Sequence, residues 1–118
     1  MESDRNDIVV DLVHLAQYTS GDRALEVELF DLFLTNGKAY LAAMAAAPDT
    51  QAWRAAAHAL KGSARGIGAG RVATLSADAE GLEIAPSDAE RLGLIAGLET
   101  ALEEVNAFVS RHYADPAP

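Results

Sequence analysis

The chain has 118 residues, 50% of them hydrophobic and 23% charged, with nine basic against eighteen acidic side chains, a net charge of −9 and no cysteine. That length supports one compact domain, taken as residues 1–118. The acidic balance argues against a general nucleic-acid binder, the lack of cysteine excludes disulfides and thiolate metal sites, and no run reaches the ~20 apolar residues needed to span a bilayer.

Abundant alanine and few aromatics favour helix over strand. Five helices and no strand are predicted. The N-terminus is polar and acidic, with no apolar run behind it, so it does not read as a signal peptide and a cytoplasmic protein is expected. The first helix is predicted over residues 8–18, with Ile8, Leu12, Leu15 and Ala16 at helical spacing. Asp22 then suits the N-cap of a second helix over residues 23–46. Its apolar residues Leu25, Leu29, Leu32, Phe33, Tyr40, Leu41 and Met44 keep one phase across Gly37, which predicts a single helix despite a glycine cost of about 1 kcal/mol. After a turn and cap at Pro48, Asp49 and Thr50, a third helix is predicted over residues 51–66. A glycine-rich break leads to a fourth over residues 69–84, burying Val72, Leu75, Ala79 and Leu82. A turn follows in which Ser87 and Glu90 fit a capping box. The fifth helix, residues 88–113, carries Leu92, Ile95, Leu98, Leu102, Val105 and Val109 in a near-heptad stripe. The last residues, 114–118, read as a frayed tail. Long amphipathic helices on short turns pack antiparallel, so the expected fold is all-α: an up-down four-helix bundle with a short additional N-terminal helix over one end.

Residues 50–77 contain four basic side chains (Arg54, Lys61, Arg65, Arg71) and no acid, whereas the other ninety residues carry five basic and eighteen acidic ones and sum to −13. On a helical wheel with Trp53 at zero, Ala57, Leu60, Ala64 and Ile67 fall within about 40° and form a core stripe. His58 falls near 140°, Lys61 near 80°, Gly62 near 180°, Arg65 near 120° and Arg54 near 100°. The histidine therefore points to solvent among cations, with Lys61, Gly62 and Arg65 as its i+3, i+4 and i+7 neighbours. Each residue suits a phosphoryl group: a neutral imidazole is a nucleophile near pH 7, Lys61 and Arg65 offset the arriving charge, and Gly62 leaves room for a bulky donor. Alone, an exposed helix histidine is usually a solvated residue, exposed cations likewise, and Gly62 could serve close helix packing. Their coincidence on one face, with no acid nearby in the sequence, points to function. His14 reads as partly buried packing and His112 as a cation suited to a helix C-terminus. Trp53, Phe30 and Phe33 read as core. No metal site is expected, because bundle metal sites use Glu-x-x-His pairs and none occurs here.

The run Ala57-His58-Ala59-Leu60-Lys61-Gly62-Ser63-Ala64, followed by Ile67-Gly68-Ala69, Val72 and Leu75, resembles the signature of histidine phosphotransfer (HPt) domains. The likeness extends upstream through Gly21-Asp22, Leu25, Glu28-Leu29 and Phe33, with Trp53 at an aromatic or apolar position, and downstream to Ala79-Glu80. It covers most of residues 11–83. It implies a helical bundle without autonomous catalytic activity, which takes a phosphoryl group from a receiver-domain aspartate and passes it to another, reversibly. His58 matches the phosphoacceptor, Lys61 the charge-neutralising lysine, Gly62 the small residue that gives access, and Glu80 a polar residue able to hydrogen-bond near the imidazole. Arg65 and Gly66 depart from the small or apolar residues common at those positions. The implied partners are receiver domains of response regulators or hybrid histidine kinases, which supply the Mg²⁺, so the chain itself needs no cofactor. Docking residues are expected to be Ala55, Ala59, Gly62 and Gly66, with Ile8, Leu12 and Leu15 from the first helix. A histidine-kinase dimerisation and phosphoacceptor domain is the first alternative, but it usually has an acid after the histidine, where this chain has Ala59. The second is a helical scaffold or adaptor without phosphoryl chemistry. A single-site module works as a monomer, and the Met1 start with short polar flanks favours a free-standing protein.

Overall fold

The protein's structure, a computed structural model, describes residues 8–83 and 89–114. Among these there are five α-helices and no strand: α1 (Leu12–Thr19), α2 (Arg23–Ala45), α3 (Thr50–Ile67), α4 (Gly70–Glu80) and α5 (Ala89–His112). α3 packs between α2 and α4, and α5 closes the ring by packing on the same two helices, while α1 lies against α2 and α3. Packed in this order, α2 to α5 form an up-down bundle.

Aspartates start the first three helices. Asp11, Asp22 and Asp49 each accept a hydrogen bond from the backbone N–H three residues on, which satisfies one of the free amides of the first turn. Asp11 starts α1 at Leu12, so Ile8 is not helical as the apolar spacing predicts. Instead the segment before α1 is stitched to the α3–α4 turn: the Asp11 N–H donates to the Gly68 carbonyl at 2.8 Å and the Arg71 N–H to the Ile8 carbonyl at 3.0 Å. The turn depends on Gly68, which ends α3 in the left-handed region at φ 84°. A Cβ there would also sit 2.8 Å from the Asp11 carbonyl oxygen.

The core is built from fully buried Trp53, Phe30, Met44, Leu60, Leu98, Val72 and Val105. The predicted α3 stripe of Trp53, Ala57, Leu60, Ala64 and Ile67 is buried throughout. Trp53 also donates its indole N–H to the Ala79 carbonyl at 2.6 Å, which fixes α4 against α3. On α2 the buried residues are Glu26, Phe30, Phe33, Gly37, Leu41 and Met44, spaced at helical periodicity. Leu25 and Leu32, predicted inside, lie on the flank of that stripe and are 37% and 58% exposed. Leu92, predicted in the α5 stripe, is likewise 65% exposed. Gly37 has a packing reason, since a Cβ there would lie 3.1 Å from Leu102 Cδ2 where α2 meets α5.

α4 ends at Glu80, short of the predicted residue 84. Gly81 is a poor helix former, and the Leu82 N–H tightens back onto the Ala79 carbonyl, packing Leu82 on the core. The predicted turn at 85–88, with Ser87 of the capping box, and the tail from Asp115 lie outside the described residues.

Candidate functional site

His58 stands on the face of α3 opposite Trp53, Ala57, Leu60 and Ala64, with its side chain 69% exposed. α3 and α4 run antiparallel from the turn at Gly68 and Ala69, and this register brings Glu80, the last residue of α4, level with His58. The His58 Nδ1 lies 2.8 Å from Glu80 Oε2. Lys61 Nζ lies 2.5 Å from Glu80 Oε1, and its side chain is only 18% exposed. One carboxylate thus holds both the imidazole and the ammonium.

The expectation of cations with no acid nearby is therefore corrected. The acid is absent from the surrounding sequence but is supplied by the next helix. Lys61 lowers the Glu80 pKa from its usual value, and His58 adds to that effect. An ionised carboxylate only accepts hydrogen bonds, so the neutral His58 ring carries its proton on Nδ1. Its Nε2 lone pair then faces solvent as the free nucleophilic position.

Gly62 and Gly66 follow His58 on the exposed side of α3, and a Cβ at either would meet nothing within 4 Å. Gly62 is thus not required for close helix packing, and it leaves clear space on the exposed side of α3. Arg54 and Arg65 are exposed. Arg65, two turns on from His58, is about 10.5 Å away along the axis. Arg71 turns towards α5, with its Nε 3.5 Å from Glu104 Oε1.

Of the predicted docking residues, Ala55, Gly62 and Gly66 are exposed, while Ala59, Ile8 and Leu12 are half-buried. Leu15 is only 1% exposed and belongs to the core, but it also lines the floor of the groove beside Gly66. Beside Gly66 lies a groove of about 210 Å³, lined chiefly by Tyr18, Leu29, Leu32, Phe33 and Ile67. Tyr18 and Leu32 were not predicted for this surface. Their signal lay in the helical phase, which carries both residues off the buried stripes of α1 and α2. His14 is half-buried with its ring edge-on to Tyr18 at 5.4 Å, and His112 stacks on Phe108 at 5.4 Å. No group of three or more potential metal ligands occurs among the described residues, and no described helix is long and apolar enough to cross a membrane.

A sequence model of the Hpt domain matches residues 28–108, more than half of the chain. Neither curated proteins nor solved structures yield a match.

Proposed function

The chain belongs to the Hpt domain family, the histidine phosphotransfer modules of two-component systems, and on that premise we propose that His58 is the phosphoacceptor of a relay between receiver domains. The observation that carries this reading is the solvent-facing His58 ring whose Nδ1 is held 2.8 Å from Glu80, leaving Nε2 free. Nε2 attacks the phosphorus of a receiver's aspartyl phosphate. The N–P bond forms as the acyl P–O bond breaks, and the aspartate leaves as a carboxylate. The proton stays on Nδ1, where Glu80 offsets the positive charge that the ring acquires. Transfer onward reverses these steps on a second receiver. The divalent cation of the reaction belongs to the receiver, and this chain contributes the nucleophile and its positioning.

Lys61 has two roles in this reading. In the resting protein it fixes Glu80, and when the phosphoryl group arrives its ammonium lies within a helical turn of the new charge. Gly62 and Gly66 leave the approach open. The receiver covers this face and seats apolar side chains in the groove between Tyr18, Leu32 and Gly66. No feature of the site calls for a second copy of the chain, so a monomer suffices.

The test is phosphotransfer from purified, phosphorylated receiver domains of the same genome, compared by initial rate. Wild-type protein should gain an acid-labile, base-stable label, and His58→Gln should gain none while keeping its helical circular dichroism. Label on His58→Gln, or no label on wild type from any receiver, would overturn the assignment and leave a scaffold as the better reading. Ala59→Glu should raise the KM for the receiver by blocking the docking face.

A further inference from the structure

Far from His58, three helices meet at one buried carboxyl group. Glu26, near the start of α2, is 7% exposed. Its Oε2 accepts from the hydroxyl of Thr19, the last residue of α1, at 2.6 Å. Its Oε1 accepts from the hydroxyl of Tyr113, just past α5, at 2.7 Å. A buried carboxyl group is costly unless hydrogen-bonded, and here both oxygens have a donor. Tyr113 is held in turn: its ring lies 5.9 Å from that of Phe30 and 5.4 Å beneath the Arg23 guanidinium. Arg23 also donates to the Ala114 carbonyl at 3.0 Å.

α1 needs such an anchor. It has eight residues, and a helix that short is not stable by itself in water. It packs on α2 and α3 alone among the helices. At its start it is tied by the Asp11–Gly68 backbone bond, and at its end by Thr19 to Glu26. Between the two ties it carries Leu15 and Tyr18, which line one side of the groove beside Gly66.

We propose that Glu26 is a positioning residue, a clamp through which Thr19 and Tyr113 hold α1 in register and so preform the partner-docking wall without touching the phosphoryl chemistry. The clamp stands on the geometry above. Only the statement of what α1 docks rests on the proposed relay function.

Hydrogen exchange on the full chain, with Tyr113→Phe and Thr19→Val, tests it. Both variants keep the shape of the side chain and remove one hydroxyl. The α1 amides of residues 15–19 should exchange roughly tenfold faster in Tyr113→Phe, which loses one hydrogen bond to the carboxyl group, and faster still in Thr19→Val, whose hydroxyl also donates to the Leu15 carbonyl and accepts from the Gly21 N–H, while α3 amides keep wild-type protection. Labelling of His58 by phosphoramidate, a small phosphoryl donor, should not change, and the KM for a phosphorylated receiver should rise several-fold at constant kcat. Unchanged α1 protection in Tyr113→Phe would overturn the proposal, whatever Thr19→Val shows, because Thr19 also makes bonds within α1 and its turn. So would equal loss of protection in all helices, which would make Glu26 a general support of the fold. Faster α1 exchange in a chain that no donor phosphorylates would keep the clamp and sink the relay.

Discussion

At the scale of single residues, Glu80 holds the Nδ1 side of the His58 ring, and Lys61 holds Glu80 in place. Replacing Glu80 by Ala removes the acceptor from Nδ1 and frees both the ring and Lys61. Phosphoryl acceptance should slow roughly tenfold, as for the loss of one charge-assisted hydrogen bond, and Glu80→Gln should recover part of it because the amide oxygen still accepts. Initial transfer rates check both. Because Glu80 titrates below its usual value, its contribution is present at neutral pH and down through the ordinary glutamate range, and is lost only as the pH falls through the lowered value. Carbon-13 NMR of the Glu80 carboxyl should show this, and Lys61→Ala should move the titration back up, since Lys61 is the larger cause. The sequence made His58 legible, because the α3 core stripe is clear and places the histidine opposite. The Glu80 contact was not legible from spacing. It is 22 residues away, and only the antiparallel register of α3 and α4 brings it level with the ring. Family likeness pointed to the position, but not to Lys61 being held there.

At the scale of elements, the segment before α1 approaches the α3–α4 turn closely, with the Asp11 N–H 2.8 Å from the Gly68 carbonyl. Gly68→Ala should cost roughly 2–3 kcal/mol, from a strained left-handed residue and a methyl pressed on the Asp11 carbonyl, and would be read as a lower urea midpoint at unchanged slope. Arg91 makes the corresponding tie at the other end. It donates to the carbonyls of Met44, Ala45 and Ala47 at 3.1, 2.8 and 3.2 Å, with its guanidinium 5.7 Å from the Trp53 ring. Arg91→Met should destabilise by roughly 1–3 kcal/mol in the same experiment, because it strips the donor from the C-terminal carbonyls of α2. Helix starts at Asp22 and Asp49 were legible because capping is local chemistry. The start at Asp11 was not, since Ile8, Val9 and Val10 continue the apolar pattern while the backbone is committed to the α3–α4 turn. The α2 core stripe was misread at Leu25 and Leu32 because the buried phase includes Glu26, which hydropathy alone places outside. That charged residue is buried only because Thr19 and Tyr113 arrive from other helices to meet it.

At the scale of the whole molecule, the chain has a net charge of −9, yet α3 carries three cations and no acid. In the proposed relay a receiver's acidic pocket would meet His58, and the anionic remainder of the chain would repel it while α3 attracts it. Lys61 is occupied by Glu80, which leaves exposed Arg54 and Arg65 to supply that attraction. Arg65 lies about 10.5 Å along the helix from His58, a separation better suited to the rim of a partner than to the transferred group. The double variant Arg54→Glu, Arg65→Glu should slow association with a receiver by about tenfold at low salt. Rim charges are screened beyond about 10 Å at 0.1 M salt and about 3 Å at 1 M, so the deficit should fade as salt is raised. A deficit that persists at 1 M salt would place Arg65 against the phosphoryl group itself, where a short and desolvated contact escapes screening. Association rates measured across the salt series therefore separate the two roles that the sequence left joined.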